Sequence, residues 1–199
     1  MPYAFPLLLA IAVSTVRSAQ QGPCDILVAA GFPCVAAHST TRALYAAFSG
    51  ALYNVTRTSD GASANISVLA PGGFADAAAQ DAFCPLLDCV ISQVFDQSPQ
   101  RNHLHQRHKL VNASRLRITV GDGVPVYGMY FDPGFGYHQD NTTGIALGND
   151  EESLYAVMSG DHYNSRVAAS ASRHLLCLRP LTPRHPPPPA RPQMQGLLL

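Results

Sequence analysis

An all-β sandwich is the fold this 199-residue sequence predicts, and three observations carry the prediction. Short runs alternate apolar and polar residues with a period of two. Gly, Pro, Asn and Asp punctuate those runs at intervals. Five Cys, 15 Gly and 16 Pro point away from a helical bundle and towards turns, strands and disulfides.

Taken in order, residues 1–19 read as a secretory signal peptide. The apolar run Leu7–Val13 leads to small residues, and Val16 and Ser18 suit the −3 and −1 positions of a cleavage site better than Arg17 and Ala19. A membrane anchor is the alternative, but the run is too short to cross a bilayer. Beyond it, Cys24 and Cys34 bracket a loop containing Gly and Pro, and Cys84 and Cys89 bracket a shorter one. In an oxidising compartment these are local disulfide staples, each worth about 2–3 kcal/mol in loop-closure entropy. Zinc is the competitor, but neither spacing is that of a common zinc knuckle. Cys177 is left over.

Tyr53 and Val55 alternate with Asn54 and Thr56, a turn follows at Ser59-Asp60-Gly61, and Ile66 and Val68 then alternate with Asn65 and Ser67. Such a pair around a Gly turn predicts a β-hairpin. The Ala-rich stretch Asp76 to Phe83 is the best short helix. Strands are expected again at Val90–Phe95, Arg115–Val120, Val124–Phe131 and Ser153–Met158. Near residue 165 the composition changes. Residues 165–199, with seven prolines between Pro180 and Pro192, hold no strand or helix period and are expected to be a disordered, Pro-rich tail of polyproline II character.

Composition limits function. With 13 Lys+Arg against 13 Asp+Glu the formal net charge is zero, which excludes a nucleic-acid binder working through bulk positive charge. Sequons at Asn54, Asn65, Asn112 and Asn141 are glycosylation candidates and agree with export. His103, His105 and His108 have the spacing of a metal cluster, but Arg101, Arg107 and Lys109 surround them, and a solvated basic loop is the better reading. Asp150-Glu151-Glu152 holds the only glutamates; glycoside hydrolysis needs two carboxylates facing each other, and sequence neighbours diverge. The sequence lacks a nucleophile elbow, a phosphate loop and a dinucleotide fingerprint. On the residues alone, the sequence describes a secreted, disulfide-stapled β protein.

Longer runs add a resemblance. Gly22–Ile26, Pro33–Tyr45, Phe48–Tyr53, Ala75–Cys84, Phe95–Ser98, Asn102–Leu104, Tyr155–Val157 and His162–Asn164 closely resemble the start of the catalytic domain of the fungal α-L-arabinofuranosidases of glycoside hydrolase family 54. The resemblance implies a concanavalin-like β-sandwich (jelly roll), here truncated, over residues 20–164. It implies retaining hydrolysis of terminal α-L-arabinofuranosyl groups, a plant cell-wall arabinan or arabinoxylan as partner, and disulfides Cys24–Cys34 and Cys84–Cys89. It implies no metal, no cofactor, no nucleic acid, no membrane and no protein partner. The family's catalytic Glu and Asp lie further downstream, so no catalytic residue is assigned here, and substrate-binding residues stay unassigned. After Ser165 the family continues Gly-Cys-Cys-Phe, whereas this chain reads Arg166-Val167-Ala168-Ala169-Ser170. One codon choice for Gly-Cys-Cys-Phe, read from its second base, encodes Val-Ala-Ala-Ser, so a frameshift or shifted splice boundary is one origin for residues 165–199. The expectation is an arabinofuranosidase by descent that is inactive as 199 residues. A secreted non-catalytic carbohydrate-binding sandwich and a non-functional gene fragment are the alternatives; against the former, there is no Trp to stack on a sugar.

Overall fold

The structure, a computed structural model, describes residues 21–85, 88–121, 123–150 and 152–159, together with the backbone of 175–180. The chain runs α1 (Pro23–Ala29), β1 (Ala36–Ser39), β2 (Ala51–Arg57), β3 (Ser63–Ser67), α2 (Ala77–Phe83), β4 (Cys89–Val94), β5 (Leu104–Gln106), β6 (Leu116–Val120), β7 (Val124–Gly128), β8 (Tyr137–His138), β9 (Glu152–Tyr155) and β10 (Leu175–Pro180). All pairings between these strands are antiparallel.

The predicted hairpin forms the centre. β2 pairs with β3 around the Ser59-Asp60-Gly61 turn, which the Arg57–Asp60 ion pair closes at 3.1 Å. On its other side β2 pairs with β4, and the five-stranded sheet has the order β3-β2-β4-β5-β8. Alternation, offset by one residue at Leu52 in β2 and at Ser92 in β4, puts Leu52, Tyr53, Val55, Ile66, Ile91 and Val94 into the core. The β6–β7 hairpin forms a separate two-stranded sheet whose Val126 is fully buried in that core, with Ile118, Val120 and Val124 packed against it. Two antiparallel layers sharing one apolar interior make the sandwich.

α2 spans the space between them. Asp76 Oδ1 accepts the Ala79 N–H at 2.9 Å and so caps the helix. The fully buried Gln80 accepts from the Tyr53 hydroxyl at 2.5 Å and donates to the Ala113 carbonyl at 2.8 Å. The Cys84–Cys89 disulfide then joins the end of α2 to the start of β4.

Several elements depart from the sequence expectation. The stretch between Cys24 and Cys34 begins as α1 rather than as a loop: Pro23 sits in its first turn, and Asp25 reaches back to the Gly22 N–H at 2.8 Å. The strand expected over Val124–Phe131 stops at Gly128, and the one expected over Ser153–Met158 is Glu152–Tyr155. Within the segment expected to lack regular structure, Leu175–Pro180 is a strand lying between β1 and β9. It contains the apolar Leu175-Leu176-Cys177-Leu178, which falls within the proline-free stretch 165–179, and it closes on Pro180. The signal segment 1–19 and the remainder of the tail lie outside the described residues.

Candidate functional site

Three of the stretches singled out by sequence, 33–45, 95–98 and 102–104, meet around one buried carboxylate. β4 ends at Val94, and the chain turns through Phe95-Asp96-Gln97-Ser98 beside β1. Asp96 is 5% exposed, and a charge so placed is tolerable only when donors replace its lost water. Its Oδ1 accepts the N–H of Ala37 at 2.7 Å and of Ser98 at 2.8 Å. Its Oδ2 accepts the Ser98 hydroxyl at 2.6 Å and the Asn102 N–H at 2.8 Å. Four donors saturate the carboxylate. The Asp96 N–H in turn donates to His103 Nδ1 at 2.9 Å.

Neighbouring amides extend the network. Gln97 Oε1 accepts the Leu44 N–H at 2.6 Å, and the Asn102 amide donates to the carbonyls of Val35 at 2.8 Å and Thr143 at 2.9 Å. Asn102 Oδ1 also accepts the Thr143 N–H at 2.8 Å, and the Thr40 hydroxyl donates to the Tyr127 carbonyl in β7 at 2.9 Å. The hub therefore ties both sandwich layers and the 143 loop to β1.

His38 lies within it, 3% exposed. Its Nε2 donates to the Asn102 carbonyl at 2.7 Å, so the proton resides on Nε2 and Nδ1 presents a lone pair that meets no partner in the described structure. Burial pushes the imidazole below its ordinary value; Asp96 opposes that shift and His103 adds to it. His103 is lowered as well, first by burial, and its ring meets Phe95 edge-on at 5.3 Å.

The other sequence candidates do not converge. His103 turns inward to Asp96, whereas His105 on β5 faces solvent beside Gln93 and His108 is exposed. Among the described residues no group of three His, Cys, Asp or Glu is placed to hold a metal ion. Asp150 closes its own turn, accepting the Leu147 N–H at 3.3 Å; Glu152 is exposed on β9, and Glu151 lies outside the described residues, as do His162, Tyr163 and Asn164. Cys24 pairs with Cys34 and Cys84 with Cys89. Of the sequons, Asn65 and Asn141 are exposed while Asn54 and Asn112 are half-buried.

Every described aspartate has a hydrogen-bond or ion-pair partner. Asp25 accepts two backbone N–H groups, Asp76 caps α2, and Asp96 anchors the hub. Asp60, Asp81, Asp132 and Asp140 each meet an arginine, and Asp88 accepts from the Thr58 hydroxyl. The role of Asp96 does not show in its sequence neighbourhood, because its Ala37 donor lies 59 positions away. Its one local signal is Asp-x-Ser after a strand, the pattern of an Asx-turn. The other donors come from distant positions.

Comparison with known proteins gives a consistent result. A family model described as α-L-arabinofuranosidase B, catalytic, matches residues 23–169. The α-L-arabinofuranosidase B of Aspergillus oryzae is 45% identical over 172 residues, covering 78% of this chain and 34% of the relative. That of Aspergillus niger is 44% identical over 167 residues, covering 77% and 33%. A crystal structure of an arabinofuranosidase complexed with arabinofuranosyl-α-1,2-xylobiose superimposes with a TM-score of 0.69 at 45% identity, covering 71% of this chain and 32% of that one. A glycoside hydrolase family 54 α-L-arabinofuranosidase soaked with a cyclic sulfate inhibitor gives a TM-score of 0.68. The chain thus spans about a third of the length of the curated relatives it matches.

Proposed function

Because this chain belongs to the α-L-arabinofuranosidase B catalytic family, glycoside hydrolase family 54, we propose that residues 20–164 are one portion of an exported β-sandwich that removes terminal α-L-arabinofuranosyl groups from arabinan and arabinoxylan. These 199 residues, on this reading, supply framework and no catalytic carboxylate. The observation that carries the reading is the match across residues 23–169, at 45% identity to relatives bearing that name.

Retaining hydrolysis needs two carboxyl groups about 5–5.5 Å apart, one attacking the anomeric carbon to give a covalent arabinosyl-enzyme. The other protonates the leaving oxygen and then activates water. Asp25, Asp76 and Asp96, each held by backbone N–H donors, support the division of labour, since a carboxylate so committed is a poor nucleophile. What the present residues contribute is rigidity: the Asp96 hub holds the loops after β1, β4 and Asn141 in fixed relation. Export is supported by the two local disulfides and by the four sequons.

The test is turnover of 4-nitrophenyl α-L-arabinofuranoside. The soluble, disulfide-bonded 199-residue chain is expected to release no 4-nitrophenol above the blank, and the same chain extended with the family's remaining catalytic sequence is expected to release it. Turnover by the 199 residues alone contradicts the reading.

A further inference from the structure

Two of the four sequons face each other. Asn54 in β2 and Asn65 in β3 are direct partners in the antiparallel register. Their side chains share the polar face of the sheet, and the Asn54 amide donates to Asn65 Oδ1 at 2.7 Å. At the adjacent β2–β4 register shift, where Asn54 pairs with Gln93 and Val55 with Ile91, Ser92 is the extra residue. Its hydroxyl donates to Asn54 Oδ1 at 2.5 Å. Both ends of the Asn54 amide are therefore occupied, on a strand flanked on both sides. The hydroxyl of its sequon is occupied too, with Thr56 Oγ1 lying 2.8 Å from Ser63 Oγ.

Asn65 is placed differently. β3 is the terminal strand in the order β3-β2-β4-β5-β8, and Asn65 is exposed on it. Only its Oδ1 is used; among the described residues its Nδ2 makes no hydrogen bond. N-glycosylation replaces one hydrogen of Nδ2 and leaves Oδ1 intact. A glycan on Asn65 thus preserves the bond from Asn54, whereas one on Asn54 disturbs the donor at the centre of the Ser92–Asn54–Asn65 row. Glycans on both would crowd, because directly opposed residues have Cβ atoms about 4.5–5.5 Å apart.

We propose that Asn65 carries an N-linked glycan that covers the β3 edge of the five-stranded sheet, and that its partner Asn54 stays unmodified. The Asn65 Nδ2 displaces the pyrophosphate from C1 of a polyprenyl-pyrophosphate-linked oligosaccharide. The C–N bond forms as the C1–O bond breaks, polyprenyl pyrophosphate leaves, and Nδ2 gives up one proton. The consequence is physical. At the end of β3 the Ser67 carbonyl is taken by the Asp76 N–H at 2.9 Å; elsewhere a terminal strand offers its outward backbone N–H and C=O groups to another chain, and a bulky hydrated sugar on it blocks that approach.

The proposal rests on the export reading above, and one experiment separates the two. The full 199-residue chain is secreted from a filamentous fungal host and treated with peptide N-glycosidase in heavy-oxygen water. Its peptides are then mapped by mass. Asn65 is expected to return as heavy-oxygen-labelled aspartate, and Asn54 as asparagine. The variant Ser67→Ala, which removes the sequon but keeps Asn65 and its bond to Asn54, is expected to lose the mass of one glycan and to shift towards oligomers on size exclusion; Asn65→Gln is expected to do the same. A modified Asn54, an unmodified Asn65 in secreted chain, or a Ser67→Ala variant that stays monomeric overturns the proposal. A chain retained in the cell with no sequon modified overturns the export reading, and the proposal falls with it.

Discussion

Asp96 shows what a single side chain contributes when its hydrogen bonds come from far along the chain. Its local bonds, to the N–H and hydroxyl of Ser98, have an Asx-type signal in Asp-x-Ser that went unread in the sequence. Its bond to Ala37 spans 59 positions, so no spacing rule could have pointed to it. Asp96→Asn presents a single acceptor oxygen where the carboxylate has two, leaving part of the hub unsatisfied. The expected cost is about 3 kcal/mol, since bonds to a charged group contribute about 1.5–3 kcal/mol each. A urea titration checks it, and loss of hydrogen-exchange protection at Ala37 and Asn102 locates it. His38 makes a second residue-scale prediction. Its folded value lies below the ordinary 6.5, so as the pH falls past about 6.5 the unfolded chain binds a proton that the folded chain refuses. Stability from this group is therefore complete above that pH and is lost as the pH falls towards the depressed value; His103 acts in the same direction. Between pH 7.5 and 5.5 the urea midpoint of the wild type is expected to fall more than that of His38→Gln. Equal slopes would contradict it.

At the level of elements, legibility followed alternation. β3 and the two strands after Asn112 place apolar residues at every second position, as β2 does beyond its irregularity at Leu52, and the sequence located them to within a few residues. β1 was missed because Ala36-Ala37-His38-Ser39 is buried at all four positions and so has no polar face. β5 and β8, of three and two residues, are too short to have a period, and His105 of β5 reads as part of a basic loop. α1 was missed because its helical signal is confined to Pro23 and Asp25. What holds α1 in place is close approach: Asp25 Oδ2 accepts the Ala46 N–H at 2.6 Å, and the Cys24 N–H donates to the Leu44 carbonyl at 3.0 Å. A Cβ on Gly22 would lie 2.2 Å from that same carbonyl oxygen. Gly22→Ala is therefore expected to separate α1 from the Leu44–Ala46 segment at a cost of about 2–3 kcal/mol. The readout is a lower urea midpoint with faster exchange at the Cys24 amide, while Gly121→Ala, whose added Cβ meets only the Phe74 ring at 3.6 Å, is the comparison that leaves the Cys24 amide unchanged.

For the whole molecule, the sequence carried the fold class and the family, because both rest on long identical runs and on strand periodicity. It could not carry the site, for a physical reason. A glycosidase centre is made where strands from distant parts of the chain present carboxylates across a gap, and this chain spans about a third of its curated relatives. Within the described portion, Asp25, Asp60, Asp76, Asp96 and Asp150 stabilise turns, caps and loops, and the apolar interior between the β2–β3–β4 strands and the β6–β7 hairpin gives those loops a rigid base. We propose, as above, that these residues supply framework and that the catalytic carboxylates belong to other parts of the family's sequence. Covalent labelling tests that claim most directly. A cyclic sulfate of the kind with which a family relative has been soaked reports a retaining nucleophile by attaching to it, with no need for turnover. After incubation of the soluble chain, with Cys24–Cys34 and Cys84–Cys89 verified by unreduced peptide mapping, the intact mass is expected to be unchanged. A stoichiometric mass increase mapping to one of the aspartates or glutamates of these 199 residues would contradict the account.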